Sequence, residues 1–272
     1  MHIACDTTST CQQLTNGHND NAKVKTVKIL VLDIETRPNM AYVWGLWDQN
    51  IGLNQIIDTG SVISFAAKWY GEKKIHFYSD FHDGHDVMIK AAWELMNEAE
   101  AIVHFNGKQF DIKHLNREFM LAGLTPPSPH KDVDLLSVVR SRFKFASNKL
   151  QHVATELGIG SKVQHDGFDL WVRCMANDAS AWDLMRRYNK HDVKLTEQLY
   201  EHLRPWIKSH PNVTLGEGRP DHCPTCGDER MQSRGVQKSP FGIYQRYHCQ
   251  GCGAWFKGRR RLINETAEVS SI

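Results

Sequence analysis

Two carboxylates, Asp33 and Glu35, stand where an aliphatic segment ends in the stretch VKILVLDIETRP, residues 27 to 38. Alternate side chains of a strand point to the same face, so we expect the two carboxylates to lie together, with Ile34 on the other side. Like charges at the end of a buried strand repel each other and lose hydration, which a bound cation or hydrogen-bond donors would compensate. Two solvated acids at a strand end are the alternative. Carboxylate oxygens are hard ligands that suit Mg²⁺ or Mn²⁺.

A third acid, Asp111, follows a second aliphatic segment, AIVHF, through the loop in HFNGKQFDIKHL. Its position close to the start of a helix gives two interpretations. Aspartate just before a helix is a favoured N-cap, whereas an acid that follows a buried strand can also belong to a metal site.

A fourth acid, Asp192, lies in the helical stretch AWDLMRRYNKHDVKLTEQLYEHL, one turn after Tyr188. Both residues fill a gap in the apolar stripe of that helix. The stripe consists of Trp182, Met185, Leu195, Leu199 and Leu203. A buried acid needs a partner, and because no Lys or Arg occupies the stripe, we predict that Asp192 binds a metal rather than forming a salt bridge.

Four of the seven cysteines lie in two CxxC pairs, CPTCG at 223 to 227 and CQGCG at 249 to 253. The glycine after each pair permits the tight turn of a zinc knuckle, and the 22 residues between the pairs fit a short β-ribbon. We predict one structural Zn²⁺ held by Cys223, Cys226, Cys249 and Cys252. Redox-active thiols or a module without metal are the alternatives.

Length and composition limit the class of protein. The chain has 272 residues, of which 41% are hydrophobic, and a formal net charge of +2. This length accommodates one large domain and a small one. The longest aliphatic run, Ile29 to Leu32, is too short to cross a bilayer, and the first residues have no apolar signal core. We therefore expect a soluble, intracellular protein.

Strand and helix signals alternate from residue 27 to about residue 207, which predicts an α/β layer architecture. After the first strand, VISFAAKWYGEKKIHFYS predicts a hairpin that turns at Gly71, followed by a helix near 86 to 99. AIVHF predicts another strand, and a helix from about 112 to 121 is expected to stop at Gly123. The predicted division is a flexible leader (1–25), a catalytic domain (26–209), a polar linker (210–220), a zinc ribbon (221–261) and a tail (262–272).

The segments LDIET, FNGKQFD and YNKHD resemble the three motifs of the DnaQ-like, DEDD-type 3′–5′ exonucleases, over roughly residues 27 to 207. The resemblance implies a ribonuclease H-like mixed sheet flanked by helices, to which this chain adds its zinc β-ribbon. The ribbon itself resembles those of some transposases and of phage or bacterial DNA-processing proteins. Together these features imply a cytoplasmic protein of a bacterium or a phage-infected cell.

Each acid matches a motif position of that family. Asp33 and Glu35 match the first pair, Asp111 the third acid and Asp192 the fourth. The family has either a histidine five residues before the fourth acid or a tyrosine four residues before it. The tyrosine position holds Tyr188, whereas an arginine stands at the histidine position, so the chain resembles the DEDDy branch, which includes proofreading domains of family A and B polymerases.

The resemblance implies phosphodiester hydrolysis from a 3′ end by two Mg²⁺ or Mn²⁺ ions about 4 Å apart. Asp33 would bridge both ions, Glu35 and Asp192 would complete the site that activates water, and Asp111 would hold the second ion. Tyr188 would orient the attacking water, because a phenol of high pKa is a poor bulk base.

Three further residues lie near these motifs. Asn106 and Phe110 are candidate contacts to the terminal nucleotide, with core packing as the alternative for Phe110. Asp134, in KDVDLL, is also expected at the end of a strand, where it either supports the site or caps a helix, and we leave it out of the ligand set.

Charge separates the ribbon from the rest of the chain. Residues 219–261 contain nine Lys or Arg and three Asp or Glu, a net charge of +6, which leaves −2 for residues 1–218 because the tail has two acids. A basic ribbon beside an acidic site suits a polymer whose backbone is held by the ribbon. A solvated basic tail and a protein-docking surface are the alternatives.

The expected partner is nucleic acid with a free 3′ end, DNA in preference to RNA, together with replication or repair proteins. An exoribonuclease and a non-catalytic nucleic-acid-binding protein on a nuclease scaffold are alternative functions. A transposase or integrase with the same fold and three acids is disfavoured, because such enzymes end their acid set in Glu. They also lack a DxE pair combined with an Asp that is preceded by a tyrosine.

Overall fold

The computed structural model describes residues 27–215 and 218–263. The expected leader, 1–25, lies outside the described residues, as does the expected tail beyond its first two residues. The strands are β1 (Ile29–Thr36), β2 (Met40–Ala41), β3 (Ile56–Asp58), β4 (Val62–Trp69), β5 (His76–Ser79), β6 (Ala101–His104), β7 (Lys131–Asp134), β8 (Met231–Ser239), β9 (Gly242–Cys249) and β10 (Trp255–Ile263). The α-helices are α1 (His85–Glu98), α2 (Asp111–Leu121), α3 (Leu135–Arg142), α4 (Leu150–Glu156), α5 (Asp169–Met175) and α6 (Ala179–Leu203).

A five-stranded mixed sheet in the order β5-β4-β1-β6-β7 carries the larger part of the fold. Strand β4 runs antiparallel to both of its neighbours, β1 and β5, so β5 has the same direction as β1. Strands β6 and β7 also run parallel to β1. The adjacent strands β1, β6 and β7 therefore end at the same edge of the sheet, where the loops that follow them converge. The predicted α/β architecture with a mixed sheet and flanking helices is confirmed.

Strand β1 lies in the middle of this sheet and is buried on both faces. Leu30 and Leu32 pack with α1 and α2 on one side, and Val31 packs with α6 on the other. All three side chains are almost fully buried. A strand covered on both faces has a continuous aliphatic sequence, which explains the run at the start of the chain.

The predicted turns are found where glycine allows them. Gly71 has φ +82° at the turn between β4 and β5, and Gly123 has φ +71° just after α2. Both backbone conformations are readily adopted by glycine, so the hairpin and the end of α2 follow from sequence.

The C-terminal strands form a separate antiparallel sheet in the order β10-β9-β8. Within the expected linker, the Val213 amide donates to the Pro224 carbonyl at 2.8 Å, and the Val213 side chain packs against the core of the larger sheet. Strand β10 continues to Ile263, two residues into the expected tail. None of the helices in the described part of the chain is long and apolar enough to cross a membrane.

Candidate active site

The first two acids point in the same direction from the last half of β1. Asp33 lies opposite Ala66 and Glu35 opposite Ser64 in the register with β4, and both acids are half-buried. Ile34, between them, is 3% exposed and belongs to the core on the other face. This is the arrangement predicted from the alternation of a strand.

Helix α6 places Asp192 and Tyr188 against that face of β1. Asp192 is 1% exposed and Tyr188 7% exposed. One carboxylate oxygen from each of Asp33, Glu35 and Asp192 lies within 4.8 Å of the others, and we call these three residues the acidic cluster. Oδ1 of Asp192 is buried without a hydrogen-bond partner. The acidic cluster therefore has the donor set and spacing to hold a divalent cation.

Asp111 is the first residue of α2 and does not cap it, because the N-cap position belongs to Phe110. Its Oδ1 accepts a hydrogen bond from the Ile34 amide at 3.1 Å, and the side chain is buried. It lies outside the acidic cluster but acts on it, since Asp111 is the charged neighbour that raises the pKa of Asp33 most strongly.

Burial and mutual repulsion disfavour the ionised carboxylates. Burial, reinforced by Asp111, Glu35 and Asp192, raises the pKa of Asp33 well above its ordinary value. Burial first and then Asp192 raise the pKa of Glu35 to about 8, and burial raises that of Asp111 to about 6. A cation bound here would remove this penalty, as expected for ligands that are gathered before the metal arrives.

Lys162, in the loop between α4 and α5, pairs with Asp192 Oδ2. The same ammonium donates to the Tyr188 hydroxyl at 3.0 Å. The prediction that Asp192 has no salt bridge is therefore wrong. That prediction considered only Lys and Arg residues on the stripe of α6, whereas Lys162 comes from a loop 30 residues earlier in the chain. No local sequence pattern indicates this contact.

Asn189 was missed by the sequence analysis although it lies on the buried stripe of α6. It is fully buried, and its Nδ2 donates to Asp33 Oδ2 at 2.7 Å and to the Asp33 carbonyl at 3.2 Å. Its Oδ1 accepts from the Ser64 hydroxyl at 3.3 Å. The signal was available, because Asn189 is four residues after Met185 and three before Asp192 on the same helix face. Asn189 thus fixes the orientation of Asp33.

A cavity of about 680 Å³ opens beside the acids. Its wall includes Asp33, Asn106 and Lys162, together with the cationic side chains of Arg140 and Lys149. Cations around an acidic floor can neutralise the phosphates of a polyanion that approaches the carboxylates. Asn106, which was predicted to contact the terminal nucleotide, also lies on this cavity wall.

Phe110 and Asp134 have different surroundings. The Phe110 ring is 39% exposed and packs edge-on against His114, with ring centres 4.6 Å apart, outside the wall of that cavity. Asp134 caps α3, accepting from the Leu136 amide at 3.0 Å, and also accepts from the Asn106 amide at 3.1 Å. Asp134 therefore caps a helix, which is one of its two predicted roles, and its bond to the Asn106 amide also holds the loop that carries Asn106.

The four ribbon cysteines converge at one end of β9. One Sγ atom from each of Cys223, Cys226, Cys249 and Cys252 lies within 4.8 Å of the others. The Cys223–Cys252 and Cys226–Cys249 sulfur distances are both 3.7 Å. A hydrogen bond from the Cys223 thiol lowers the pKa of Cys252 to about 5. Four convergent thiols form the closed donor set that a structural zinc ion requires.

The turns around these cysteines are equivalent. Gly227 and Gly253 both have φ +78°, and their amides donate to the carbonyls of Cys223 and Cys249 at 2.8 and 3.0 Å. Each CxxC pair therefore ends in the glycine turn predicted from sequence.

Comparisons with known proteins agree with this architecture. A family profile described as RNase_H superfamily matches residues 30–204. Among solved structures, the chain is similar to the family B DNA polymerase from the hyperthermophilic archaeon Pyrobaculum calidifontis, with a TM-score of 0.50 and 15% sequence identity. That match covers 80% of this chain and 32% of the polymerase chain, so the likeness concerns the fold and about a third of the polymerase. No curated protein matches the chain. Because the family profile spans most of its length, the chain belongs to the RNase_H superfamily.

Proposed function

We propose that this chain is a metal-dependent 3′–5′ exonuclease of the DEDDy type that hydrolyses phosphodiester bonds, in DNA in preference to RNA. The observation that carries the proposal is the meeting of Asp33, Glu35 and Asp192 within 4.8 Å, next to the buried Tyr188. Asp33 and Asp192 are 159 positions apart in the sequence. Bringing three carboxylates together without a compensating positive charge would destabilise the folded state.

The acidic cluster fits one divalent ion, and a second ion would lie beside it. Asp33, Glu35 and Asp192 would hold one Mg²⁺ or Mn²⁺, and Asp33 with Asp111 the other. Carboxylate oxygens alone favour these hard ions over zinc, and the unpartnered Oδ1 of Asp192 is a free ligand atom. When bound, such ions lower the pKa of water and stabilise the charge that develops on the attacking and leaving oxygens.

Tyr188 acts through its hydroxyl hydrogen. Burial, followed by the charges of Glu35 and Asp192, raises the pKa of Tyr188, so the phenol stays protonated at neutral pH. Because Lys162 donates to the phenol oxygen, the hydroxyl hydrogen is free to donate to another acceptor. The phenol therefore orients an attacking water or a phosphate oxygen, and it does not serve as the general base.

The cavity wall offers side chains that can bind the nucleic-acid polymer. Arg140 and Lys149 on its wall attract the phosphate backbone, and Asn106 offers an amide to the terminal nucleotide. Phe110, which is partly exposed near the start of α2, is available for stacking beyond the cavity wall.

The same proposal includes the organisation of the chain. The catalytic domain comprises residues 26–209, and a linker of residues 210–220 leads to the ribbon that starts at residue 221. One Zn²⁺ held by Cys223, Cys226, Cys249 and Cys252 would stabilise the ribbon, which is too small to be stable from its own core.

The direct test uses a single strand labelled at either end, as DNA and as RNA, with Mg²⁺ or Mn²⁺. The 5′-labelled strand should shorten one nucleotide at a time, whereas the 3′-labelled strand should release its label at once as a mononucleotide. Faster loss of DNA than of RNA supports the DNA preference. Release of mononucleotides from the 5′ end, or internal cuts alone, would contradict the proposed polarity.

A second function is favoured by one contact. Because Lys162 pairs with Asp192, the acids are partly neutralised without any metal, as in a non-catalytic nucleic-acid-binding protein on a nuclease scaffold. Such a protein would bind the labelled strands and leave them intact at every Mg²⁺ and Mn²⁺ concentration.

A further inference from the structure

The three strands β8, β9 and β10, which we call the ribbon sheet, carry cations and no acids. From Met231 to Ile263 there are seven Lys or Arg and no Asp or Glu. Arg230, just before β8, pairs with Asp228, whereas none of the seven cations has a carboxylate partner among the described residues. A sheet with seven cations and no acids attracts a polyanion, and the strand register decides which face is the better match.

Strand register collects aromatic and cationic side chains on one face. Paired residues and residues two apart along a strand share a face. In the pairing of β10 with β9, Trp255 lies opposite His248, Lys257 opposite Arg246, and Arg261 opposite Tyr244. We call these six residues the aromatic–basic face.

The rings and cations of this face are in direct contact. The Arg246 guanidinium lies 5.1 Å from the centre of the Trp255 ring, and Lys257 Nζ lies 4.4 Å from that of Tyr244. The His248 ring stacks on Trp255 at 4.5 Å. Trp255 nevertheless remains 53% exposed, and the Arg246 and Lys257 side chains are exposed. The face therefore presents an indole held in place by its neighbours, with positive charge on its borders.

We propose that the aromatic–basic face binds a single strand of nucleic acid, with phosphates along Arg246, Lys257 and Arg261 and a base against Trp255. The inference rests on the proposed function only in taking nucleic acid as the polymer. A single strand offers both free base faces and phosphates, which match the rings and the cations of the sheet. A duplex hides its base faces in the stack and would use the cations alone.

The test measures binding of a labelled single-stranded DNA to the full chain carrying Asp33→Asn, by fluorescence anisotropy over a series of salt concentrations. The first variant adds Trp255→Ala and should weaken binding about tenfold, as expected for the loss of one stacked base. The second variant adds Arg246→Gln and Lys257→Gln, both at exposed residues, and should weaken binding. It should also make the plot of log affinity against log salt concentration less steep, by the amount expected for about two lost phosphate contacts.

The matched controls lie off the face. Lys238 is paired with Ile243 and points to the opposite side of the sheet, and Phe241 is 71% exposed at the turn between β8 and β9. Lys238→Gln and Phe241→Ala should each change the affinity less than twofold. Equal losses in control and face variants, or tighter binding of duplex than of single strand, would overturn the inference.

Two features keep the outcome independent of folding and of catalysis. The double replacement of exposed cations removes the Arg246 contact with Trp255 but keeps the stacked His248 ring beside it. Unchanged affinity and salt slope in that variant would therefore refute the proposal even if Trp255→Ala failed to fold. In the Asp33→Asn background, face variants that bind weakly support the inference even if the parent chain proves inactive. An active parent chain whose face variants bind normally would leave the proposed exonuclease intact and refute the inference alone.

Discussion

The Lys162 ammonium lies 3.0 Å from the hydroxyl oxygen of Tyr188. Burial opposes the charge on Lys162, but Asp192 and Tyr188 hold its pKa above the ordinary value, so the lysine stays protonated. A fixed positive charge beside the acidic cluster has two opposite effects. It stabilises the gathered acids when no metal is bound, and it repels a metal ion that enters.

Removal of this charge should strengthen metal binding. We expect Lys162→Met to bind Mn²⁺ about three- to tenfold more tightly than the parent chain, because the competing ammonium is gone. Isothermal titration calorimetry measures the affinity. Lys149→Met, which removes an exposed cation of the same cavity wall, is the matched control and should have a smaller effect. Weaker Mn²⁺ binding by Lys162→Met would indicate that Lys162 positions Asp192 as a ligand.

Asn189 should be a positioning residue for Asp33. Because it donates to the Asp33 carboxylate at 2.7 Å from a fully buried site, we expect Asn189→Ala to lower kcat about 10- to 100-fold with little change in KM. The loss of the buried contacts should also lower the free energy of unfolding by about 1–3 kcal/mol.

A control separates the loss of orientation from the loss of packing. Ser64→Ala removes the other hydrogen bond of Asn189, at 3.3 Å, while the contact to Asp33 remains. It should therefore lower kcat much less than Asn189→Ala. Equal kcat values for Asn189→Ala and the parent chain would show that Asp33 needs no such support.

Stability without Mg²⁺ or Mn²⁺ should fall as the pH rises. The folded protein holds a proton on Glu35 up to a pKa of about 8, whereas the unfolded chain loses it near 4.5. A raised pKa of this kind stabilises the folded state below the unfolded pKa, and the contribution is lost as the pH rises towards 8. The raised pKa values of Asp33 and Asp111 act in the same direction.

This loss of folding stability can be measured between pH 6.5 and 8.5. His210, with a pKa lowered by burial to about 4, stays neutral in the folded state over this range and adds little slope. After allowance for solvent screening, the free energy of unfolding should fall by about 1–2 kcal/mol over this range, which lowers Tm by roughly 5 °C. Differential scanning calorimetry should give a flatter pH profile for Glu35→Gln. An equally steep profile in that variant would refute this assignment.

The four-cysteine cluster should contain one zinc per chain. Cys249→Ser removes a sulfur that lies 3.7 Å from Cys226, and we expect it to lower the zinc content of purified protein to well under half. Mass-spectrometric metal analysis measures the content. Cys174→Ala changes a buried cysteine of the larger domain and should retain one zinc. Full zinc content in Cys249→Ser would contradict a site made of all four thiols.

Sequence patterns predicted the elements whose signals are local. The hairpin at Gly71, the helix that ends before Gly123 and the buried stripe of α6 each depend on glycine conformation or on helical periodicity. The common direction of Asp33 and Glu35 follows from strand alternation. The convergence with Asp192 was available only through a resemblance to known motifs, because no local rule joins residues so distant along the chain.

The contacts that sequence could not give come from other parts of the fold. Lys162 reaches Asp192 from a loop 30 residues earlier in the chain, where no local sequence pattern marks the contact. The segment between β1 and β4 was left unassigned, and it contains β2 and β3 with large apolar side chains in solvent, among them Trp44 at 98% exposure. Exposure of this kind contradicts the usual burial of apolar residues, so pattern rules had no basis for placing the segment.

The measurement that tests the central claim most directly compares the parent chain, Asp33→Asn and Glu94→Gln on a 5′-labelled DNA strand with Mn²⁺. Glu94 is an exposed acid of α1 and controls for the loss of a carboxylate. The parent and Glu94→Gln should produce the same ladder shrinking from the 3′ end, and Asp33→Asn should be slower by at least about 10³-fold, since it removes a ligand shared by both proposed ions. A ladder of parental rate from Asp33→Asn, or cleavage that persists without any divalent ion, would contradict the account.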